Sequence, residues 1–388
     1  MSYLHWVVGG TVALIWFWRL LDAALGMPSV ADVARPEWGR KLSNAARVSI
    51  IVPARNEEEH VEQTLTQLLQ LDYDNYEVIA VNDRSTDRTS EVMNRIASGG
   101  ANHGRLKIVH IEALPPGWLG KTHAMWTAAN QATGDWLLFT DADVLFQSDA
   151  LTRAMAYATA ERADHVVLFP SFVMKGWGEK MMIAFFQTLF VFGHRPWKVA
   201  DPRTKDFMGV GAFNLIRRSV YQSLGTYQAL RLEVLDDMKL GKLVKNAGYR
   251  QRNVFGHGLI SLRWAKGAFG VVRNLTKNSF AIMSFQSWRT LASVCALIFL
   301  NVMPFVGIVA AHGWARVPYA LALISLFGVY MGMSWMSDVP AYYVVLHPIS
   351  SLLFAYIMLS SMMLALARGG IVWRGTFYPL KELKKGMV

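Results

Sequence analysis

Val48-Ser49-Ile50-Ile51-Val52-Pro53-Ala54-Arg55-Asn56-Glu57 begins as an apolar run and ends in a polar turn. A short apolar run bounded by turn residues predicts a buried strand. The same pattern returns along the chain. Val78 to Val81 leads into Asn82-Asp83-Arg84-Ser85-Thr86-Asp87-Arg88-Thr89, and Trp136 to Thr140 leads into Asp141-Ala142-Asp143. Leu106 to Val109 reads as a further strand. Helical stretches lie between them. Asn56 with Glu59 three positions on has the form of a capping box, ahead of Val61, Leu65, Leu68 and Leu69 at helical spacing. Further helices are predicted from about Asp87, over Lys121 to Gln131, and from near Ser148. Strands alternating with helices predict an α/β domain: βαβ units forming a mostly parallel sheet with helices on both faces.

Ligands of such sheets bind beyond the carboxyl ends of the strands. Three polar, acid-containing turns are predicted on that edge. Each alone reads as turn chemistry, and Asp87 alone reads as a helix cap. Together they suit a nucleoside diphosphate, whose charge calls for a divalent cation. Mg2+ and Mn2+ prefer carboxylate oxygens and keep positions for phosphate. Residues two apart in an extended segment share a side, so Asp141 and Asp143 are expected to face one site.

The stretches Val48 to Glu57, Val81 to Thr89, Gly120-Lys121-Thr122-His123-Ala124-Met125 and Thr140 to Asp143 together resemble the family 2 glycosyltransferases, which have the GT-A fold. The resemblance reaches to about residue 280. With apolar segments at both ends, the layout is similar to bacterial hopanoid-associated and carotenoid-modifying lipid glycosyltransferases. The resemblance implies inverting, metal-dependent transfer from a UDP- or GDP-sugar to a lipid, with Mg2+ or Mn2+ as cofactor. It implies that Pro53, Arg55 and Glu57 line the nucleotide pocket and that Asp83 contacts the base. It places Asp143 on the metal, and Asp141 and Ala142 near the ribose, the donor sugar and the metal. Asn82 departs from the family, which often has a second Asp there. Lys121, at a helix start, is expected to reach the diphosphate.

The same resemblance makes Asp237 the general base, with Asp236 where the family more usually has Glu; their bland reading is a pair of helix-dipole acids. Gly211, in Gly209-Val210-Gly211-Ala212-Phe213-Asn214, is expected on the acceptor side, where glycine lets backbone approach a sugar. Arg263-Trp264 is similar to the end of the Gln-x-x-Arg-Trp motif of processive synthases, with Ile260 at the Gln position. Arg263 and Trp264 are therefore also expected near the acceptor. Arg217 and Arg218 read as solvated, and His257, between glycines, as structural. A processive polysaccharide synthase is the first alternative, disfavoured by the incomplete motif. A non-catalytic nucleotide-sugar binding module is the second, disfavoured because Asp83, Asp141, Asp143 and Asp237 are all present. A nucleotidyltransferase would need a basic, glycine-rich loop near the first strand, and none is there.

Of the 388 residues, 53% are hydrophobic and 17% charged, and the apolar excess sits at the ends. That composition suggests membrane spans. Leu4 to Leu25 is long enough for a span of about 20 residues. No Lys or Arg precedes Arg19, so an uncleaved anchor is expected rather than a signal peptide. Arg35, Arg40, Lys41 and Arg47 follow it, which predicts an outward N-terminus and a cytoplasmic catalytic domain at the cell membrane. Further apolar runs are Leu291 to His312, Val317 to Met333 and Ala341 to Ala367. Three full crossings there would put the tail outside, yet Arg368, Arg374, Lys381, Lys384 and Lys385 favour the cytoplasm. One run is therefore expected to be re-entrant or interfacial, with His347-Pro348 a place for the break. The net charge of +11 suits an anionic membrane surface and a phosphate-bearing donor; no basic, aromatic-interleaved run supports nucleic acid. Cys295 is the sole cysteine, which excludes internal disulfides and cysteine metal sites. The expected organisation is an anchor over 1–27, a linker over 28–46 and a GT-A domain over 47–280 with an interface helix at 180–194. A membrane region over 285–367 and a basic tail over 368–388 complete it.

Overall fold

β1 (Val48–Ala54) has every residue but Pro53 buried, as its apolar run requires. In the computed structural model, which describes residues 2–99 and 104–386, it pairs in parallel with β2 (Tyr76–Asp83) and β4 (Trp136–Phe139). β3 (Leu106–Ile111) continues the parallel run beside β2. β5 (Leu145–Phe146), β7 (Ser171–Phe172) and β10 (Ile260–Leu262) form a small separate sheet. The main sheet is completed by β6 (His165–Leu168), β8 (Asn214–Arg217) and β9 (Gln251–Val254), in the order β3-β2-β1-β4-β8-β6-β9. β8 runs antiparallel to both β4 and β6, so the sheet is mixed. Its first residue, Asn214, pairs with the last residue of β4, Phe139. The segment entering β8 therefore arrives at the same edge that Asp141–Asp143 leaves.

Alternation along the strands divides their side chains between two faces. Ile51, Ile79, Val81, Leu137, Phe139 and Ile216 share one core with Ala124, Met125 and Ala128 of the helix Gly120–Ala129 and with Leu240 and Val244 of the helix Asp236–Asn246. The first helix does not begin at Asn56. It spans Val61–Leu69, and Asn56 has φ +54°. Instead of capping, the Asn56 amide oxygen accepts from Thr86 N–H at 2.8 Å, and Glu57 N–H donates to Thr89 Oγ1 at 2.8 Å. The turns after β1 and β2 are thus stitched together, a use of the Asn side chain that local pattern cannot reveal. Asp87 does act locally, accepting from Thr89 N–H at 3.0 Å and Glu58 N–H at 3.2 Å.

The chain divides into two units, and the sheet unit comprises residues 30–171, 198–262 and 385–388. The other unit, residues 1–29, 172–197 and 263–384, is helical. Three helical segments in it are long and apolar enough to cross a membrane: Tyr3–Ser29, Gly313–Ser334 and Ala341–Arg368. Ser287–Asn301 and Met303–Ala310, bent by 45°, would together make a fourth. The helix Trp177–Gly193 places Met181, Met182, Ala184 and Phe185 in this unit's core, so it packs within the bundle. Buried polar groups join the helices. His347 Nδ1 meets Tyr330 Oη at 2.9 Å, His347 Nε2 meets Asn301 Oδ1 at 2.8 Å, and Trp16 Nε1 donates to Leu300 O at 2.9 Å.

Candidate active site

At the end of β2, Asp83 is 3% exposed. Arg84 holds it bidentately, Nε to Oδ1 at 2.7 Å and Nη2 to Oδ2 at 3.1 Å. Arg55 Nη1 lies 3.9 Å from Asp83 Oδ2, which brings the β1 and β2 turns together as expected. The helix Gly120–Ala129 starts against this group: a Cβ at Gly120 would meet Asp83 Oδ2 and lie 2.8 Å from Arg84 Nη2. Asn82, the departure from the family pattern, meets His110 Nδ1 through Nδ2 at 3.2 Å and accepts from Ser85 N–H at 3.3 Å.

Lys121, the next residue of that helix, turns to the acids. Its Nζ is 2.7 Å from Asp141 Oδ1 and 3.8 Å from Asp236 Oδ1. Burial alone would lower its pKa, but Asp141, Asp236 and Asp237 outweigh burial and raise it, so the ammonium stays charged. Asp143 is within electrostatic reach of Asp141. Burial, then Asp141, then Glu57 push its carboxyl up to about 6. Ala142 between them is 3% exposed, leaving only its backbone for a ligand. Negative charge exceeds positive around Asp143, the condition a bound cation relieves. Among the described residues no group of three His, Cys, Asp or Glu side chains forms a self-sufficient metal centre. Asp141 and Asp143 alone would leave most oxygen positions of a Mg2+- or Mn2+-type ion to a ligand.

Asp236 and Asp237 open the helix Asp236–Asn246. Asp236 is 4% exposed, and burial pushes its carboxyl up to about 7 against the pull of Lys121. Burial raises Asp237 as well, so the helix-terminus effect expected to keep it acidic is outweighed. Asp237 Oδ1 accepts from Met238 N–H at 2.7 Å, and the Gly211 N–H also points at this carboxylate. Gly211 is where the two halves of the site meet, since a Cβ there would lie 2.7 Å from Asp141 Oδ2 and 3.3 Å from Lys121 Nζ.

Sequence reading missed what holds this loop. A Cβ at Gly209 would strike the Asp237 carbonyl, and one at Gly241 the Met208 carbonyl, so loop and helix touch backbone to backbone. Gln251 Oε1 accepts from Met208 N–H at 2.9 Å, and Gln251 Nε2 donates to the Met208 and Gly241 carbonyls at 3.0 Å each. Gln251 Nε2 also faces His165 Nδ1 at 2.8 Å, which makes that nitrogen the acceptor. His165 Nε2 then donates to Asn214 Oδ1, and Asn214 Nδ2 donates to the Asp237 carbonyl at 3.4 Å. Burial drives the His165 pKa down to about 4, consistent with this neutral tautomer. The sequence gives little signal for this, since each of the three polar residues only opens a four-residue strand.

Other residues singled out in the sequence have contacts of their own. Arg217 lies at the opposite edge of the sheet, paired with Asp164 at 3.4 Å and 4.6 Å from the Trp136 ring centroid. His257 is exposed on a turn. Arg263 and Trp264 belong to the helical unit. Arg263 Nη2 bonds Glu179 Oε1 at 2.6 Å, and the same carboxylate accepts from Gly267 N–H and Lys175 N–H at the start of two helices. Trp264 packs on Phe186, with ring centroids 4.7 Å apart.

A mixed sheet with an acid–lysine cluster at its carboxyl edge and a second acidic pair at a facing helix start is the arrangement of a GT-A fold. Residues 49–225 match the family described as glycosyl transferase family 2. A 4,4'-diaponeurosporenoate glycosyltransferase from Staphylococcus haemolyticus is 24% identical over 59% of this chain. A probable glycosyltransferase, YdaM, from Bacillus subtilis is 28% identical over 56% of this chain. The matches span 60% and 51% of those relatives' own lengths. A solved mannosyltransferase from Pyrobaculum calidifontis, in complex with GDP-Man and Mn2+, superposes with a TM-score of 0.50 at 20% identity. That match covers 90% of this chain and 97% of the other, and it speaks for the fold.

Proposed function

We propose that this chain transfers a sugar from a UDP- or GDP-sugar to a lipid hydroxyl, with inversion, at the cytoplasmic face of the cell membrane. The observation that carries the reading is the convergence of Lys121, Asp141, Asp236 and Asp237 beside Asp143. Asp83 and Arg55 lie toward the base, and Pro53 and Glu57 line the nucleotide side. Asp143, with Asp141, would hold the Mg2+ or Mn2+ that screens the diphosphate. Asp237 accepts the proton of the acceptor hydroxyl, and its raised pKa makes it a better base than an ordinary Asp. The freed oxygen attacks the anomeric carbon as the bond from that carbon to the diphosphate oxygen breaks. Lys121 stabilises the charge on the departing nucleoside diphosphate. Attack opposite the leaving group inverts the anomeric centre, and no covalent enzyme intermediate is needed.

The lipid acceptor is supported by the helical unit and by the name of the Staphylococcus haemolyticus relative. Gly211 would lie on the acceptor side of the cluster, and Trp264 would lie along the acceptor's path. The test is to incubate membranes containing the full chain with a panel of labelled nucleotide sugars and to analyse the organic extract. Labelled lipid formed by the wild type and lost in Asp237→Asn is the expected result. Water-soluble polymer, or donor binding without transfer to any extractable lipid, would overturn it.

A further inference from the structure

The first turn of the helix Gly120–Ala129 carries Lys121, Thr122 and His123, and the first and last of these, two residues apart, are directed to different sides. Lys121 goes to Asp141 and Asp236. His123 goes the other way, within electrostatic reach of both Asp83 and Arg84. It is 8% exposed and sits in an aromatic group. Trp118 meets its ring edge-on at 5.4 Å, Trp126 lies at 6.1 Å, and the two indoles are 5.1 Å apart. Both indoles are only partly buried, so the group reaches the surface.

The His123 Nδ1 is buried and has no hydrogen-bond partner among the described residues. The other deeply buried histidines behave differently. His165 is bonded through both nitrogens, to Gln251 and Asn214, and so is His347, to Tyr330 and Asn301. Buried polar nitrogens are nearly always satisfied, and an exception marks a place where a ligand or a chemical task completes the site. Arg84 holds both oxygens of Asp83, and His123 beside them keeps an unused polar atom. A partly open aromatic wall with one hydrogen-bonding nitrogen beside an acid–arginine pair is suited to a flat heterocycle with polar edges.

We propose that His123, backed by Trp118, hydrogen-bonds the nucleobase of the donor and sets which nucleotide the site accepts. This rests on the proposed glycosyltransferase function, in which Asp83 lies on the base side. Burial lowers the His123 pKa, so at neutral pH the ring is uncharged and one nitrogen is free to accept.

The experiment is calorimetric titration of the full chain in detergent with UDP, GDP, ADP and CDP, each with Mn2+. The wild type is expected to prefer one base. His123→Phe keeps the ring packing and removes the nitrogen. It is expected to lose about ten-fold in affinity for the preferred nucleotide, the worth of one hydrogen bond, with little change for the others. His123→Asn restores a polar atom near Nδ1 and is expected to keep the preference, and Trp118→Leu is expected to weaken all four together. A His123→Phe protein with wild-type affinities and order would overturn the inference while leaving the transferase reading intact. So would a His123→Asn protein that loses its preference while melting like the wild type. A wild type that binds none of the four would overturn the transferase reading, and this inference with it.

Discussion

At the scale of single residues, Asp236 and Asp237 show how a functional site departs from what stability would choose. Asp236 is buried and Asp237 half-buried, and desolvation raises the pKa of both. For Asp236 the folded value is about 7 against an ordinary 3.8. The folded state therefore holds this proton where the unfolded chain has released it. The stabilisation is fully present below the unfolded value and is lost as pH rises through about 7. Asp236→Asn removes a buried charge and leaves Lys121 its bond to Asp141. It is expected to raise the melting temperature at pH 8 and to give no gain at pH 4, read from thermal melts at the two values. Transfer should fall at the same time, a trade of activity against stability. Asp237→Asn keeps the shape of its side chain but cannot take a proton. Its kcat is expected to fall by about 10²- to 10⁴-fold, the usual worth of a general base. Donor affinity in the same titrations should stay near the wild-type value, because the loss belongs to the chemical step.

At the scale of elements, the device that matters is the contact between the Met208–Gly211 loop and the helix Asp236–Asn246. Gly209 and Gly241 allow it, and a Cβ at either position would run into a backbone carbonyl. Gly209→Ala is expected to cost about 1–3 kcal/mol, as overpacking does, and to lower kcat more than it raises KM for the donor, because Asp237 moves with the carbonyl it displaces. Denaturant melts and steady-state kinetics on one preparation would check both. This device was only half visible in the sequence. β1, β2 and β4 could be read because their apolar runs end in acidic turns, and local pattern suffices for that. β6, β8 and β9 are four residues each, and His165, Asn214 and Gln251 open them with polar side chains. Their place in the sheet is fixed by pairings across long stretches of chain, which no local period encodes. The acids themselves could be picked out, because Asp141, Asp143 and Asp237 fit a known set of motifs. The Gln251–His165–Asn214 relay behind Asp237 could not, since each member looks like an ordinary strand residue until the strands are assembled. Asn56 misled for the converse reason: its side chain had a local use available, and a neighbouring turn claimed it.

At the scale of the whole molecule, contacts within the helical unit bear on a question that charge counting left contradictory. Gly9 lies against Pro318 and Tyr319, and Leu20 against Gly328, so Ser2–Gly26 and Val317–Ser334 run in the same direction. Leu300 is level with Trp16, and Gly307 meets Tyr319, level with Gly9. The bent pair Ser287–Ala310 therefore runs the opposite way. His347 begins its helix at the depth of Asn301 and Trp16, part-way along these spans. Further on, Ser361 Oγ accepts from Phe280 N–H at 3.0 Å, just before Ser287. The last helix thus runs back alongside Asn301 to Ser287, toward the face to which Gly26 leads. The expected topology is three crossings, by Ser2–Gly26, the bent pair and Val317–Ser334, with a last helix that starts inside the bundle at His347-Pro348 and returns. That arrangement keeps Arg368, Arg374, Lys381, Lys384 and Lys385 on the cytoplasmic side, as basic flanks prefer. The check is to replace Cys295 by Ser and introduce single cysteines, Ser2→Cys and Lys384→Cys, for labelling with an impermeant thiol reagent. Ser2→Cys should react in intact spheroplasts and Lys384→Cys only after lysis. Reaction of Lys384→Cys from outside would mean that His347–Arg368 crosses completely and that the tail and the catalytic domain are on opposite faces.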